Sequence, residues 1–216
     1  MYDIEVADNQ DCLTISRERV LQIVRVTLEA EQIASASISV AIVDNPTIHE
    51  LNRQYLSHDY ETDVLSFLLD EFPPACDDEF HSDDGIPNEL DLATNAAASR
   101  GRAGWTINGE VIVSSQMACD LAPDYDADPL HELTLYIVHG LLHLCGYDDL
   151  TADELPFMRA RECAVFELLG LAPPQRAIDD QGHVGEEPPD ANGPTIESPV
   201  PGSPVAISAL KVGGES

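Results

Sequence analysis

Basic side chains are scarce in this chain of 216 residues: ten Lys and Arg stand against 40 Asp and Glu, a formal net charge of −30. Affinity for a polyanion comes from Lys and Arg neutralising phosphates, so this balance excludes a generic nucleic-acid binder. A run of about 18 apolar residues is also missing, which leaves no candidate membrane span. The first twelve residues carry Asp3, Glu5, Asp8 and Asp11 and no basic segment, unlike a secretory signal, so a cytoplasmic location is expected. The five cysteines, at 12, 76, 119, 145 and 163, are odd in number and include no C-x-x-C pair. That argues against a disulfide framework or a cysteine zinc site, and Cys145 and Cys163 read as small core residues.

Composition divides the chain in two. Residues 173–216 hold eight of the fifteen prolines, six of the thirteen glycines and no aromatic residue, and are expected to form a disordered, acidic Pro/Gly-rich tail. Residues 1–172 keep 33 acidic against 8 basic side chains, so the acidity belongs to the folded part. Within it, residues 69–108 contain a dense acidic run through Asp77, Asp78, Glu79, Asp83, Asp84, Glu89 and Asp91. Like charges repel and stay solvated, so this stretch reads as an acidic, loop-like insertion.

The remaining elements alternate. Residues 2–6, 38–43, 64–69 and 110–113 read as strands, and residues 17–36, 47–56, 115–121, 129–144 and 151–169 as helices. The expected architecture is a single α+β domain over 1–172, with a small mixed sheet of about four strands packed with about five helices.

The chemistry concentrates in one helix. Pro129 suits a first helical turn, Asp128 a cap and Gly146 an end, and the sequence between is apolar around most of its circumference, as for a buried central helix. His139 and His143 interrupt that surface four residues apart, on one face and one turn from each other. After the turn at Gly146, Asp149 returns a carboxylate, completing H-x3-H-x2-G-x2-D. Two nitrogens and one oxygen leave a fourth tetrahedral position open for water, the arrangement of catalytic rather than structural zinc. Zinc brings the pKa of such a water to about 7, so metal-assisted hydrolysis is the expected chemistry. Asp148 is read either as a residue that orients a ligand or as a helix cap. Glu132, two turns before His139, is read as supporting the fold or orienting a ligand, and not as catalytic.

The run His139-Gly140-Leu141-Leu142-His143-Leu144-Cys145-Gly146-Tyr147-Asp148-Asp149 resembles the signature H-G-x-L-H-L-x-G-Y-D-H of the YbeY endoribonucleases. Upstream, Leu51-Asn52-Arg53-Gln54-Tyr55, Asp59 and Thr62-Asp63-Val64-Leu65-Ser66-Phe67 are similar to that family's L-N-x-x-Y-R-x-x-D-x-x-T-D-V-L-S-F. Gly109-Glu110-Val111-Ile112-Val113 is similar to its G-D-I-x-I. Together the matches run in family order through residues 36–170. The resemblance implies a single-strand-specific, metal-dependent endoribonuclease in 16S rRNA 3′-end maturation and ribosome quality control. It also implies one Zn²⁺ held by His139, His143 and the residue at position 149, with rRNA of the small subunit and ribosomal proteins or assembly factors as partners, and neither DNA nor membrane.

Two positions depart from that pattern. Asp149 stands where the family has a third histidine; a carboxylate is an acceptable zinc ligand but makes a bound water a weaker acid. Leu56 stands where the family has an arginine, and Arg53, three residues earlier on the same helix, is the candidate RNA-binding substitute. Arg100 and Arg102 near Trp105 are further cations, read first as solvated loop residues. Two other readings compete. A zinc metallopeptidase has a similar H-x3-H helix, but Gly140 replaces the glutamate that such enzymes use as a base. A non-catalytic ribosome-assembly factor would explain the acidity through attraction to basic ribosomal proteins.

Overall fold

The computed structural model describes residues 1–74 and 101–175 and the backbone of 205–208. In chain order the elements are β1 (Tyr2–Asp8), α1 (Arg17–Ala30), β2 (Ser35–Val43), α2 (Asn45–Leu56), β3 (Val64–Phe72), β4 (Thr106–Ser114), α3 (Ser115–Leu121), α4 (Pro129–Leu144), α5 (Leu155–Leu168) and β5 (Val205–Ser208). Four helices start on side-chain caps that satisfy otherwise orphaned amides: Ser16 for α1, Asp44 for α2, Ser114 for α3 and Asp128 for α4.

The strands form one mixed sheet in the order β1-β2-β4-β3-β5. β1, β2 and β4 are parallel neighbours, and β3 runs antiparallel to β4 in a register that sets Val64 opposite Val113. Because strand side chains alternate, the sheet has two distinct faces. Val64 of β3 and Val111 and Val113 of β4 join the main core with α1, α4 and α5, whereas Leu65, Phe67 and Ile112 face the other way and pack on Ile48 of α2. The expected α+β class and central helix are therefore observed. α4 lies against β3, β4, α1, α3 and α5, and every residue from Glu132 to Leu144 is buried.

Boundaries moved where tertiary pairing overrides local pattern. α1 stops at Ala30 instead of continuing to 36, because Gln32 takes a left-handed φ of 55° and Ile33 N–H bonds back to Leu28, a helix-ending turn made without glycine. The next residues pair in the sheet: Ala34 N–H donates to Trp105 O. α5 begins at Leu155 instead of 151, with Pro156 in its first turn, where a missing N–H costs nothing. β3 and β4 extend to Phe72 and back to Thr106, taking the ends of the 69–108 stretch into the sheet; residues 75–100 lie outside the described residues. Most of the 173–216 stretch also lies outside them. Within it, however, Val205–Ser208 pairs antiparallel with β3, a correction to the expectation of no element there. Among the described residues β3 has no other neighbour on that side, and Val-Ala-Ile-Ser suits a strand.

Gly140 lets α4 approach the sheet closely. A Cβ at this position would lie 2.7 Å from Val111 Cγ1 and 2.9 Å from both Val64 Cγ2 and Ser66 Oγ. Branched valines cannot swing away. Gly140→Ala is accordingly expected to destabilise the fold by about 1–3 kcal/mol through overpacking, read as a lower midpoint in urea unfolding; an unchanged or raised midpoint would contradict this seating.

Candidate metal centre

The buried α4 carries its two imidazoles into the interior: His139 is 2% exposed and His143 is fully buried. The helix then ends in two crossed hydrogen bonds, Gly146 N–H to His143 O and Tyr147 N–H to Leu142 O, with Gly146 at φ 94°. This is the Schellman geometry that glycine favours. It reverses the chain and sets Asp149 beside the imidazoles. Arg102 seals the helix end by donating from Nη1 to Leu144 O at 3.1 Å, a cation at the negative pole of the helix.

The two Nε2 atoms stand 2.9 Å apart. Asp149 Oδ2 is 3.6 Å from His139 Nε2, and Oδ1 is 3.7 Å from His143 Nε2. One ligand atom from each of the three residues lies within 4.8 Å of the others. The outward nitrogens are held by acceptors: His139 Nδ1 by Glu162 Oε1 at 2.7 Å, and His143 Nδ1 by Tyr147 O at 3.0 Å. Each Nδ1 therefore carries its proton, and the lone pairs of both Nε2 atoms converge with the carboxylate on one point. Such a set of acceptors is satisfied only by a cation or a shared proton, so the residues fit a metal ion.

The surroundings of these groups shift their proton affinities in opposite directions. Burial opposes charge on His139, but the Glu162 hydrogen bond and charge, joined by Asp149 and Asp63, outweigh it and raise its pKa. Burial, then the charge of His139, pushes His143 down to about 3. Burial raises Asp149, against the pull of His139 and Arg159. Glu162 is depressed despite its burial, because His139 and Arg159 both donate to it.

The other expected residues sit elsewhere. Asp148 Oδ1 accepts from the amides of Asp149 and Leu150 at 2.8 and 3.3 Å, so it shapes the loop that presents Asp149. Arg53 is exposed on α2, paired with Glu50, and α2 covers the sheet face opposite α4. Arg102 is paired with Glu71 as well as with the helix end. Arg100 lies outside the described residues. Glu162, fully buried, was not singled out from the sequence. Its signal was available: Met158, Val165 and Phe166 are the buried apolar positions of α5, and Glu162 interrupts that stripe.

The family model described as "Endoribonuclease YbeY" matches residues 4–170. This chain belongs to the YbeY family. Proteins named Endoribonuclease YbeY are similar to it in Rhodopirellula baltica (31% identical, covering 78% of this chain and 72% of that one) and Salinibacter ruber (34%, covering 65% and 74%). Another, from Listeria monocytogenes, is 35% identical and covers 71% of this chain and 84% of its own. Position 149, where the YbeY signature carries histidine, thus brings a carboxylate into the triad of a family member.

Two variants test the centre. Asp149→Ala is expected to lose bound divalent metal after dialysis, and Glu162→Gln, which keeps an acceptor oxygen but removes the charge, to weaken metal binding about 10–100-fold. Both are read by competition with a chelator. Undiminished affinity in Asp149→Ala would remove that residue from the ligand set, and in Glu162→Gln would reduce Glu162 to a packing role.

Proposed function

We propose that this protein is a metal-dependent, single-strand-specific endoribonuclease that matures the 3′ end of 16S rRNA and serves ribosome quality control in the cytoplasm, with one Zn²⁺ held by His139, His143 and Asp149. The observation that carries the reading is the convergence of three acceptors inside a chain of the YbeY family, whose relatives are named endoribonucleases. Zinc held there would supply Lewis acidity toward a phosphoryl oxygen and would lower the pKa of a water bound to it.

The protein's own groups hold that site ready. Glu162 and the Tyr147 carbonyl fix both Nδ1 protons, so the Nε2 lone pairs stay aimed inward without reorganisation. Asp149, the least buried of the three, forms the solvent side of the centre, with Asp148 ordering its loop. The substrate is rRNA of the small subunit, and the acidic exterior suits encounter with basic ribosomal proteins or assembly factors, since complementary charge steers association. The docking role and the enzymatic role are compatible.

A peptidase reading is poorly supported. Position 140, where the zinc peptidases with a similar helix place a glutamate base, is a glycine pressed against Val64, Ser66 and Val111. This position points into the sheet, and a glutamate there has no room. Incubating zinc-loaded wild type and His139→Ala with rRNA fragments and with an unstructured protein separates the readings. Cleavage of RNA by the wild type alone is expected; cleavage of protein alone would overturn the assignment. Arg53→Ala is expected to slow RNA cleavage without altering metal content. An unchanged rate would remove Arg53 as a phosphate contact.

A further inference from the structure

Outside the metal centre, two cysteines 107 residues apart meet at the surface. Cys12 lies between β1 and α1, in a turn held by the Gln10 side chain, whose Oε1 accepts from the amides of Cys12 and Leu13 at 2.8 Å and whose Nε2 donates to Leu13 O. Its thiol reaches Ser115 Oγ at 3.1 Å. Ser115 and Cys119 lie on α3 one turn apart and so share a face. The Cys119 thiol in turn points back at the Cys12 carbonyl oxygen, 3.9 Å away. Cys12 is exposed and Cys119 half-buried, whereas Cys145 is fully buried in the core.

We propose that Cys12 and Cys119 form a redox-active pair that closes to an intramolecular disulfide in the presence of a low-molecular-weight disulfide such as oxidised glutathione. The exposed Cys12, as thiolate, attacks one sulfur of the oxidant and expels the first thiolate, leaving a mixed disulfide. Cys119 then attacks the Cys12 sulfur and expels the second. Two protein S–H bonds are broken and one S–S bond formed; the oxidant's S–S bond is reduced to two thiols, which take up the two protons. Burial, the hydrogen bond to Cys12, the Cys12 charge and Asp120 push Cys119 up to about 11. Two of those four influences come from Cys12 itself and are removed with its thiol once Cys12 is in the mixed disulfide, which eases ionisation of Cys119 while the larger effect of burial stays. The closed bond ties the β1–α1 turn to α3, which packs on α4, and a link across so long a stretch of chain restricts the unfolded state.

The full chain, equilibrated in buffers of increasing oxidised-to-reduced glutathione ratio and then alkylated and peptide-mapped, tests the pair. Expected are the loss of two of the five thiols, a mass lower by two hydrogens, a Cys12–Cys119 peptide, a raised melting temperature and full reversal by dithiothreitol. C163S is expected to behave like wild type, and C119S to stop at a glutathione adduct on Cys12. A wild-type protein that keeps the adduct on Cys12, links either cysteine to Cys76 instead, or loses no thiol would overturn the proposal.

Discussion

The close seating of α4 on the sheet is the constraint on which the rest depends. Gly140 touches Val64, Ser66 and Val111 at distances that leave no space for a methyl group, and Ser66 Oγ donates to Gly140 O at 3.1 Å. Gly109 repeats the contact near the helix end, where a Cβ would lie 2.7 Å from Leu144 Cδ1. Between these two points the helix is buried along its length, so imidazoles at 139 and 143 enter the core whether or not they have partners. A buried donor without an acceptor costs about 1–3 kcal/mol, and the fold supplies an acceptor for each outward nitrogen from a different source. One is a side chain on α5, the other a backbone carbonyl of the turn that ends α4.

That turn is itself braced. Tyr147 O–H donates to Glu31 Oε2 at 2.8 Å, and Arg161 donates to Glu31 Oε1 at 2.6 and 2.8 Å and to Ala30 O. The C-terminal end of α1, the α4 turn and α5 are thereby tied at one point beside the centre. Charge-assisted bonds of this kind are among the stronger polar interactions, and here they fix the residue whose carbonyl orients His143. The same helix α5 delivers Arg161 to the brace and Glu162, itself held by Arg159, to His139, so one element sets the orientation of both imidazoles.

What the sequence made legible follows from locality. The i, i+4 histidines, Gly146 and Asp149 lie within eleven residues, and helix geometry with one glycine turn suffices to bring them together. The triad could therefore be read without knowledge of the sheet. Glu162 could not be reached this way, because its contact with His139 spans 23 residues and depends on how α5 crosses α4. The same holds for the end of α1, where Gln32 adopts a conformation usually signalled by glycine, and for the pairing of β5 with β3, which joins segments far apart in the chain. Arg53 marks a different limit: its helix is legible from periodicity, but which face of the sheet that helix covers is a property of topology.

The arginines explain how an acidic domain accommodates this centre. Arg102, Arg159 and Arg161 all lie close to α4, yet each is already engaged with a carboxylate, Glu71, Glu162 and Glu31 respectively. Arg159 and Arg161 neutralise the buried Glu162 and Glu31, and releasing either toward a phosphate would leave a buried carboxylate uncompensated; Arg102 joins the exposed Glu71 and seals the end of α4. In the nuclease proposed above, attraction for the scissile phosphate would fall to a cation held by His139, His143 and Asp149. Binding then draws on few Lys or Arg contacts, and the salt dependence that such contacts create is correspondingly shallow. The −30 charge excludes long tracks of RNA along the surface, but it does not oppose recognition concentrated at a single point.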